Sequence, residues 1–168
     1  MQTNPQAFDS RRYQVIPRVL VFVSRGDEVL MMKRAADRRV FPGQYNGLGG
    51  HVEVGESVLA AARREVLEES GLHAADLWLC AVVAIDTGTP HTGIVMWVFR
   101  GSAEGEPSST PEGENAWIPR DQLASLPMVE DIPVLLPKIL DMQPGDAPLW
   151  AHYSYTPDGQ LQMHFEAP

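Results

Sequence analysis

GHVEVGESVLAAARREVLEESGL, residues 50–72, decides how the rest of the chain is read. Its middle, 57–70, is rich in Ala, Leu, Arg and Glu and free of glycine and proline, so it is predicted to be helical. Ser57 is the expected N-cap and Gly71 stands where a C-terminal cap belongs. Leu59, Ala62 and Val66, joined by Ala60 and Leu67, form the expected buried stripe, which leaves Arg64, Glu65, Glu68 and Glu69 on the other side. Glu65, Glu68 and Glu69 stand at i, i+3 and i+4, a spacing that brings carboxylates together on one helix face. Like charges so placed weaken a helix by about 0.2–0.5 kcal/mol per pair, a cost that disappears when a divalent cation sits between them. Oxygen-only ligands favour a hard ion, Mg²⁺, with Mn²⁺ able to stand in. Three glutamates alone read more simply as a solvated face. Gly49 and Gly50 change the balance, because a loop carrying backbone carbonyls close to a metal needs residues without side chains.

Working outward, RVLVFVSR (18–25), the turn Gly26-Asp27 and EVLMMKR (28–34) are predicted to form a hairpin. A loop over 36–44 leads into YNGLGGHVEV (45–54), with short strand pieces expected around Leu48 and Val52. Beyond the helix, LWLCAVVAIDT (77–87) and GIVMWVFRG (93–101) are rich in β-branched and aromatic residues and read as two central strands about the turn TGTPHTG. SAEGEPSSTPEGE (102–114) is read as a mobile surface loop. NAWIP (115–119) then leads into helical patterns at RDQLASL (120–126) and MVEDIPVLLPKILDM (128–142), Pro133 and Pro137 leaving the start of the latter open. LWAHYSYTPDGQLQMHF (149–165) reads as a hairpin about Pro157-Asp158-Gly159. Strands on both sides of one strong helix do not follow the alternation of a doubly wound sheet, and an α+β sandwich with a mixed sheet fits better.

The 168 residues, 44% hydrophobic, suit one domain with a buried core. Thirteen Lys and Arg against 22 Asp and Glu give a formal charge of −9, which disfavours nucleic-acid duplexes and requires a bridging cation for any small polyanionic ligand. No window approaches the roughly 18 apolar residues of a membrane helix, and MQTNPQAFDSRRYQ lacks an apolar signal core. A cytoplasmic protein without a membrane partner is expected. The lone Cys80 is expected to be a packed core residue. His51, His73, His91, His152 and His164 have no HxxxH or HExxH spacing, which argues against a transition-metal site. NGLGG lacks both the Walker lysine and GxGxxG, so neither a P-loop nor a Rossmann site is supported.

Residues 50–72 also fit G-x5-E-x7-R-E-U-x-E-E-x-G-U without exception, U being a bulky aliphatic residue. At average residue frequencies such a match arises by accident on the order of once in ten million chains of this length. The pattern resembles the Nudix box. That resemblance implies the Nudix fold, a mixed β-sheet sandwiched between helices with a C-terminal hairpin. It divides the chain into an arm (1–15), a Nudix hydrolase domain (16–143) and a hairpin (144–168) packed on it. It implies magnesium-dependent hydrolysis of a phosphoanhydride bond in a nucleoside diphosphate-linked substrate by a monomer or homodimer. Metal binding would fall to Glu65, Glu68 and Glu69, with a Gly49 or Gly50 carbonyl completing the coordination sphere. Glu56 would lend the site negative charge, and Arg64 would orient a catalytic glutamate. Water is expected to attack phosphorus. Its general base is Glu65 by preference, then Glu69, then Glu112.

Outside the box, YNGLGGHVE resembles MutT-type enzymes that sanitise oxidised purine nucleoside triphosphates, in which an Asn at the place of Asn46 hydrogen-bonds the base. An Asn-Gly turn explains it equally. PMVEDIPVLLPKIL resembles the stretch in which mammalian-type oxidised-purine triphosphatases present paired acids to the base, here Glu130 and Asp131, and the tail hairpin is similar to theirs. Acids in a helix's first turn are the alternative. Trp117 is read as a packing residue, and Phe22 and Met32 as core or pocket wall. The leading expectation is therefore hydrolysis of a nucleoside triphosphate, 8-oxo-dGTP among them, to the monophosphate and pyrophosphate. Dinucleoside polyphosphates, nucleoside diphosphates and nucleotide sugars are alternatives. A non-catalytic Nudix-fold nucleotide sensor is an alternative of another class, although such domains typically lose box glutamates that this chain keeps.

Overall fold

The computed structural model describes residues 11–166. Residues 1–10 of the expected arm lie outside them. The elements run β1 (Gln14–Arg25), β2 (Glu28–Arg34), β3 (Tyr45–Asn46), β4 (Leu48–His51), α1 (Val58–Ser70), β5 (Ala75–Thr89), β6 (Thr92–Ser102), β7 (Gly113–Pro119), a 3₁₀ helix (Arg120–Ser125), α2 (Ile132–Asp141), β8 (Leu149–Tyr155) and β9 (Leu161–Phe165). The sheet follows the order β3-β2-β1-β6-β5-β8-β9, with β4 also paired to β1 and β7 to β2. It is mixed: β1 runs parallel to β6 and β5 parallel to β8, while the other pairings are antiparallel.

Strand periodicity explains the two layers. In β1, Val19, Val21 and Val23 join one apolar cluster with Ala61, Ala62 and Val66 of α1. Leu20 and Phe22 face the other way, into a cluster with Ile132, Leu135, Leu136 and Ile139 of α2. A strand buried on both faces must be apolar at successive positions, as VLVFV is. The sheet is thus sandwiched between helices in an α+β arrangement, as expected. The hairpin β8–β9 extends the same sheet through β5. Cys80 is buried. Among the described residues no helix is long and apolar enough to cross a membrane.

Several local expectations need correction. β1 begins at Gln14 rather than at 18, because its parallel pairing with β6 starts at Gln14 opposite Thr92. β5 and β6 extend until only Pro90 and His91 separate them. Val52 lies outside β4. The end of the Gly- and Ser-rich segment, together with 115–119, forms β7 along β2, from Arg34↔Gly113 to Glu28↔Pro119. In the preceding segment, Arg25 Nη1 donates to the Gly105 carbonyl at 3.0 Å and Trp117 Nε1 does so at 2.9 Å. Trp117 packs partly buried against the α1-side cluster. In α2, Pro133 occupies the first turn, where its missing N–H is no loss, and Pro137 lies inside.

α1 has the predicted caps, Ser57 Oγ accepting from Ala60 N–H at 3.2 Å and the left-handed Gly71 donating to the Leu67 carbonyl at 2.8 Å. Its buried side differs. Ala61, Ala62, Glu65, Val66, Glu69 and Ser70 are buried, whereas Ala60 is exposed and Leu67 is 42% exposed. Alanines let the helix sit close to β1 and β4, and this closeness carries Glu65 and Glu69 into the interface instead of onto the solvated side.

Candidate functional site

The charged face of α1 is organised by Arg64. Its Nη2 and Nε donate to the two carboxylate oxygens of Glu56 at 2.7 and 3.1 Å, and its Nη1 donates to Glu65 at 2.9 Å and Glu68 at 3.0 Å. A further bond reaches the His51 carbonyl at 3.0 Å. A planar guanidinium can serve all these acceptors at once, which a lysine ammonium cannot. Arg64 holds the Glu56 carboxyl below the usual range and is itself held more firmly in its charged form.

Glu65 and Glu69, one turn apart, are 9% and 7% exposed, and the Glu69 carboxylate accepts from the Gly49 amide at 2.8 Å. Gly50 gives the Glu65 carboxylate its place: a Cβ there would meet that carboxylate and force it to shift. Burial pushes Glu69 up to about 8 against the Gly49 hydrogen bond, with Glu65 and Glu112 adding like charge and Glu112 in hydrogen-bonding contact with it. Burial also raises Glu65, opposed by Arg64 and assisted by Glu68 and Glu112. Buried carboxyls that resist ionisation together form a site short of positive charge. Asn115, for which the sequence offered no signal, braces this corner: its Nδ2 donates to the Glu69 carbonyl and to the Ser108 carbonyl.

Glu68 departs from the picture of three converging carboxylates, being 58% exposed and bonded to Arg64. Accordingly, among the described residues no three His, Cys, Asp or Glu side chains are gathered to hold an ion. The donor chemistry still fits a hard divalent cation. Glu65, Glu69 and Glu112 offer oxygen only, their like charges act on one another despite the Arg64 bond to Glu65, and Gly50 leaves the space in front of Glu65 clear.

A cavity of about 330 Å³ opens beside this corner, and its wall includes Gly49 and Glu69 together with Asn46, Glu130 and Asp131. The structure thus gathers residues far apart in sequence around one space. Asn46 pairs with Met32 in β3 and its Oδ1 accepts from the Gly47 amide at 2.8 Å. Met32 also lines the cavity, whereas Phe22 is wholly within the α2-side core. Asp131 precedes α2 without capping it through its side chain, and burial pushes its carboxyl up to about 6. Glu130 instead accepts from the Tyr155 hydroxyl at 3.0 Å. Glu56, Arg64, Glu65, Glu68 and Gly50 are not part of the cavity wall.

The cavity also contains groups that sequence reasoning missed. Arg18, Arg34 and Arg38 bring positive charge to it, and Tyr153 and Tyr155 bring the C-terminal hairpin. The Tyr153 hydroxyl is buried without a hydrogen-bond partner among the described residues, and burial with the nearby Asp131 raises its pKa. No local pattern marks these residues, since strands separated by most of the chain bring them together.

Comparison with known proteins gives four results. The profile of the NUDIX domain matches residues 15–139. An oxidized purine nucleoside triphosphate hydrolase of Danio rerio is 32% identical over 123 residues, 73% of this chain and 77% of that protein. An NAD-capped RNA hydrolase NudC of Pseudomonas aeruginosa is 49% identical over 61 residues, 36% of this chain, so the chain spans only 21% of that relative's length. Among solved structures, a mutator MutT protein from Bacillus halodurans matches with a TM-score of 0.76 and 27% identity over 92% of this chain and 100% of that one.

Proposed function

The chain belongs to the Nudix domain family, and from that premise we propose that it hydrolyses a purine nucleoside triphosphate, preferably one with an oxidised base such as 8-oxo-dGTP, to the monophosphate and pyrophosphate. The observation that carries this reading is the shared cavity, in which the box residues Gly49 and Glu69 line the same space as Asn46, Glu130 and Asp131. Its volume of about 330 Å³ falls within the range of small-molecule sites. The Danio rerio relative is an oxidized purine nucleoside triphosphate hydrolase.

Glu65, Glu68 and Glu69, with a Gly49 or Gly50 carbonyl, would hold Mg²⁺, which supplies charge neutralisation on the phosphates and a polarised water. Glu65 acts as the general base. Arg64 fixes one of its oxygens, and burial raises its proton affinity. Glu69 is the second choice for this role and Glu112 the third. Glu56 keeps Arg64 in place through its paired bonds. At the base, the Asn46 amide offers a donor and an acceptor, and the Asp131 carboxyl can donate when protonated or accept when ionised. A neighbouring basic cleft lined by Arg34, Arg38 and Arg39 favours a second reading, a dinucleotide substrate whose other half lies there, consistent with the name of the bacterial relative.

A panel assay tests both readings. Protein with Mg²⁺ is incubated with oxidised and normal nucleoside triphosphates, dinucleoside polyphosphates, NAD and nucleotide sugars, and the products are separated by anion exchange. The oxidised purine triphosphate is expected to lead by about tenfold or more in kcat/KM, the discrimination one or two base hydrogen bonds supply. A leading dinucleotide replaces the first reading with the second, and no turnover of any compound leaves a nucleotide sensor.

A further inference from the structure

Arg18 interrupts the pattern of its own strand. Side chains two apart share a face, so Arg18 lies on the same side of β1 as the buried Leu20 and Phe22, where another apolar residue would be expected. It lines the cavity with Leu20, and its strand neighbour Met96 on β6 does the same. Among the described residues its guanidinium makes no hydrogen bond or ion pair. Its electrostatic neighbours are Arg34, which disfavours its charge, and Glu65, which supports it, while burial lowers its pKa most. Arg34 spends its Nε on the Val40 carbonyl at 2.9 Å, and Arg38 reaches Glu112 at 3.5 Å. In a protein with a formal charge of −9, two arginines face a cavity with no carboxylate among the described residues bonded to either. A partly buried cation without a partner is unfavourable until an anion completes it.

We propose that Arg18 is a specificity-determining residue that holds the phosphate attached directly to the nucleoside, between the base-side residues Asn46 and Asp131 and the box residue Glu69. The proposal rests on the cavity being the nucleotide site. Arg18 thereby favours nucleoside phosphates over nucleosides before any bond is cleaved, and it fixes the distance from the base to the scissile linkage. Arg34, close enough to oppose its charge, is neutralised by the same anion.

The test is equilibrium binding by calorimetry to the full chain, comparing an oxidised purine nucleoside with its monophosphate, and inorganic pyrophosphate as a probe of the anion site alone. In the wild type the monophosphate should bind about 10- to 100-fold more tightly than the nucleoside, the range of one or two charge-assisted hydrogen bonds. Arg18→Met should remove most of that advantage while nucleoside affinity stays within about threefold, because the neutral part of the ligand does not meet Arg18. An unchanged advantage in folded Arg18→Met overturns the proposal. If that variant does not fold, Arg18→Lys decides: a reduced advantage supports the assignment and an undiminished one overturns it. If the wild type binds neither nucleoside nor monophosphate, the nucleotide reading of the cavity fails. Pyrophosphate then judges Arg18 alone, weaker binding in the variant supporting its anion role and equal binding refuting it.

Discussion

The face of α1 and the wall of the cavity are built on opposite principles. On α1, Arg64, Glu65, Glu68 and Glu69 are close because a helix returns to the same side every three or four residues. In the cavity, Arg18, Asn46, Asp131 and Tyr153 meet only because β1, β3, the start of α2 and β8 converge. The first arrangement survives as long as the helix does, and the second depends on the whole sheet. The two also differ in how their charge is settled. Arg64 is surrounded by acceptors, whereas Arg18 and the Tyr153 hydroxyl have no hydrogen-bonded partner among the described residues. The well-bonded region is suited to hold fixed geometry for chemistry, and the unsatisfied region is suited to be completed by a ligand.

The largest expected effect lies on the helix. Glu65→Gln keeps the shape and loses the proton acceptor, so kcat should fall by about 10²- to 10⁴-fold with Mg²⁺ saturating. Near-normal turnover in steady-state kinetics would move the base elsewhere, to Glu69 first. Next comes Gly50→Ala, whose Cβ meets the Glu65 carboxylate. A displaced carboxyl should lower kcat by about 100-fold with little change in nucleoside binding, because the cavity wall does not contain Gly50. A parallel loss of nucleoside affinity would mean that the two regions are not separable.

Asp131→Asn probes the cavity through pH. Burial makes the folded state prefer the neutral carboxyl, so the group's contribution to stability is full below its ordinary value of 3.8 and is lost as pH rises through about 6. The neutral amide avoids that loss. The variant should therefore match wild type near pH 3.5 and gain up to about 3 kcal/mol above pH 6, measured by urea denaturation across pH, while discriminating less between purine bases. A gain independent of pH would show that ionisation of Asp131 is not its source. The smallest effect is expected for Tyr153→Phe. Removing a buried hydroxyl without a partner should leave stability unchanged or raise it by about 1 kcal/mol. A clear loss of thermal stability without ligand would reveal a bonded hydroxyl.

Legibility followed the same division. Ser57, Gly71 and the glutamate spacing could be read directly because each is a local relation within a turn or two of helix. The exposure of those glutamates could not be, since Glu65 and Glu69 are buried by the approach of α1 to β4, which the small residues Gly49, Gly50, Ala61 and Ala62 permit. β7 went unread because a strand on the edge of β2 needs only one good side, and its residues follow a segment of Gly, Pro, Ser and Glu. Asn46, Glu130 and Asp131 were noticed through likeness to other sequences, and nothing in their own surroundings distinguished them from turn and helix-start residues.

By itself, then, the sequence determined the helix and its caps, the hairpin of β1 and β2, and the presence of three acids and an arginine at helical spacing. These depend on the geometry of a few consecutive residues. Only the tertiary structure decided that Glu65 and Glu69 are buried while Glu68 stays exposed, that Asn115 and Glu112 reach Glu69, and that Arg18 faces the cavity with no hydrogen bond or ion pair among the described residues. Such contacts depend on which segments the sheet brings side by side, and burial changes a charged group's energy only after that packing is complete.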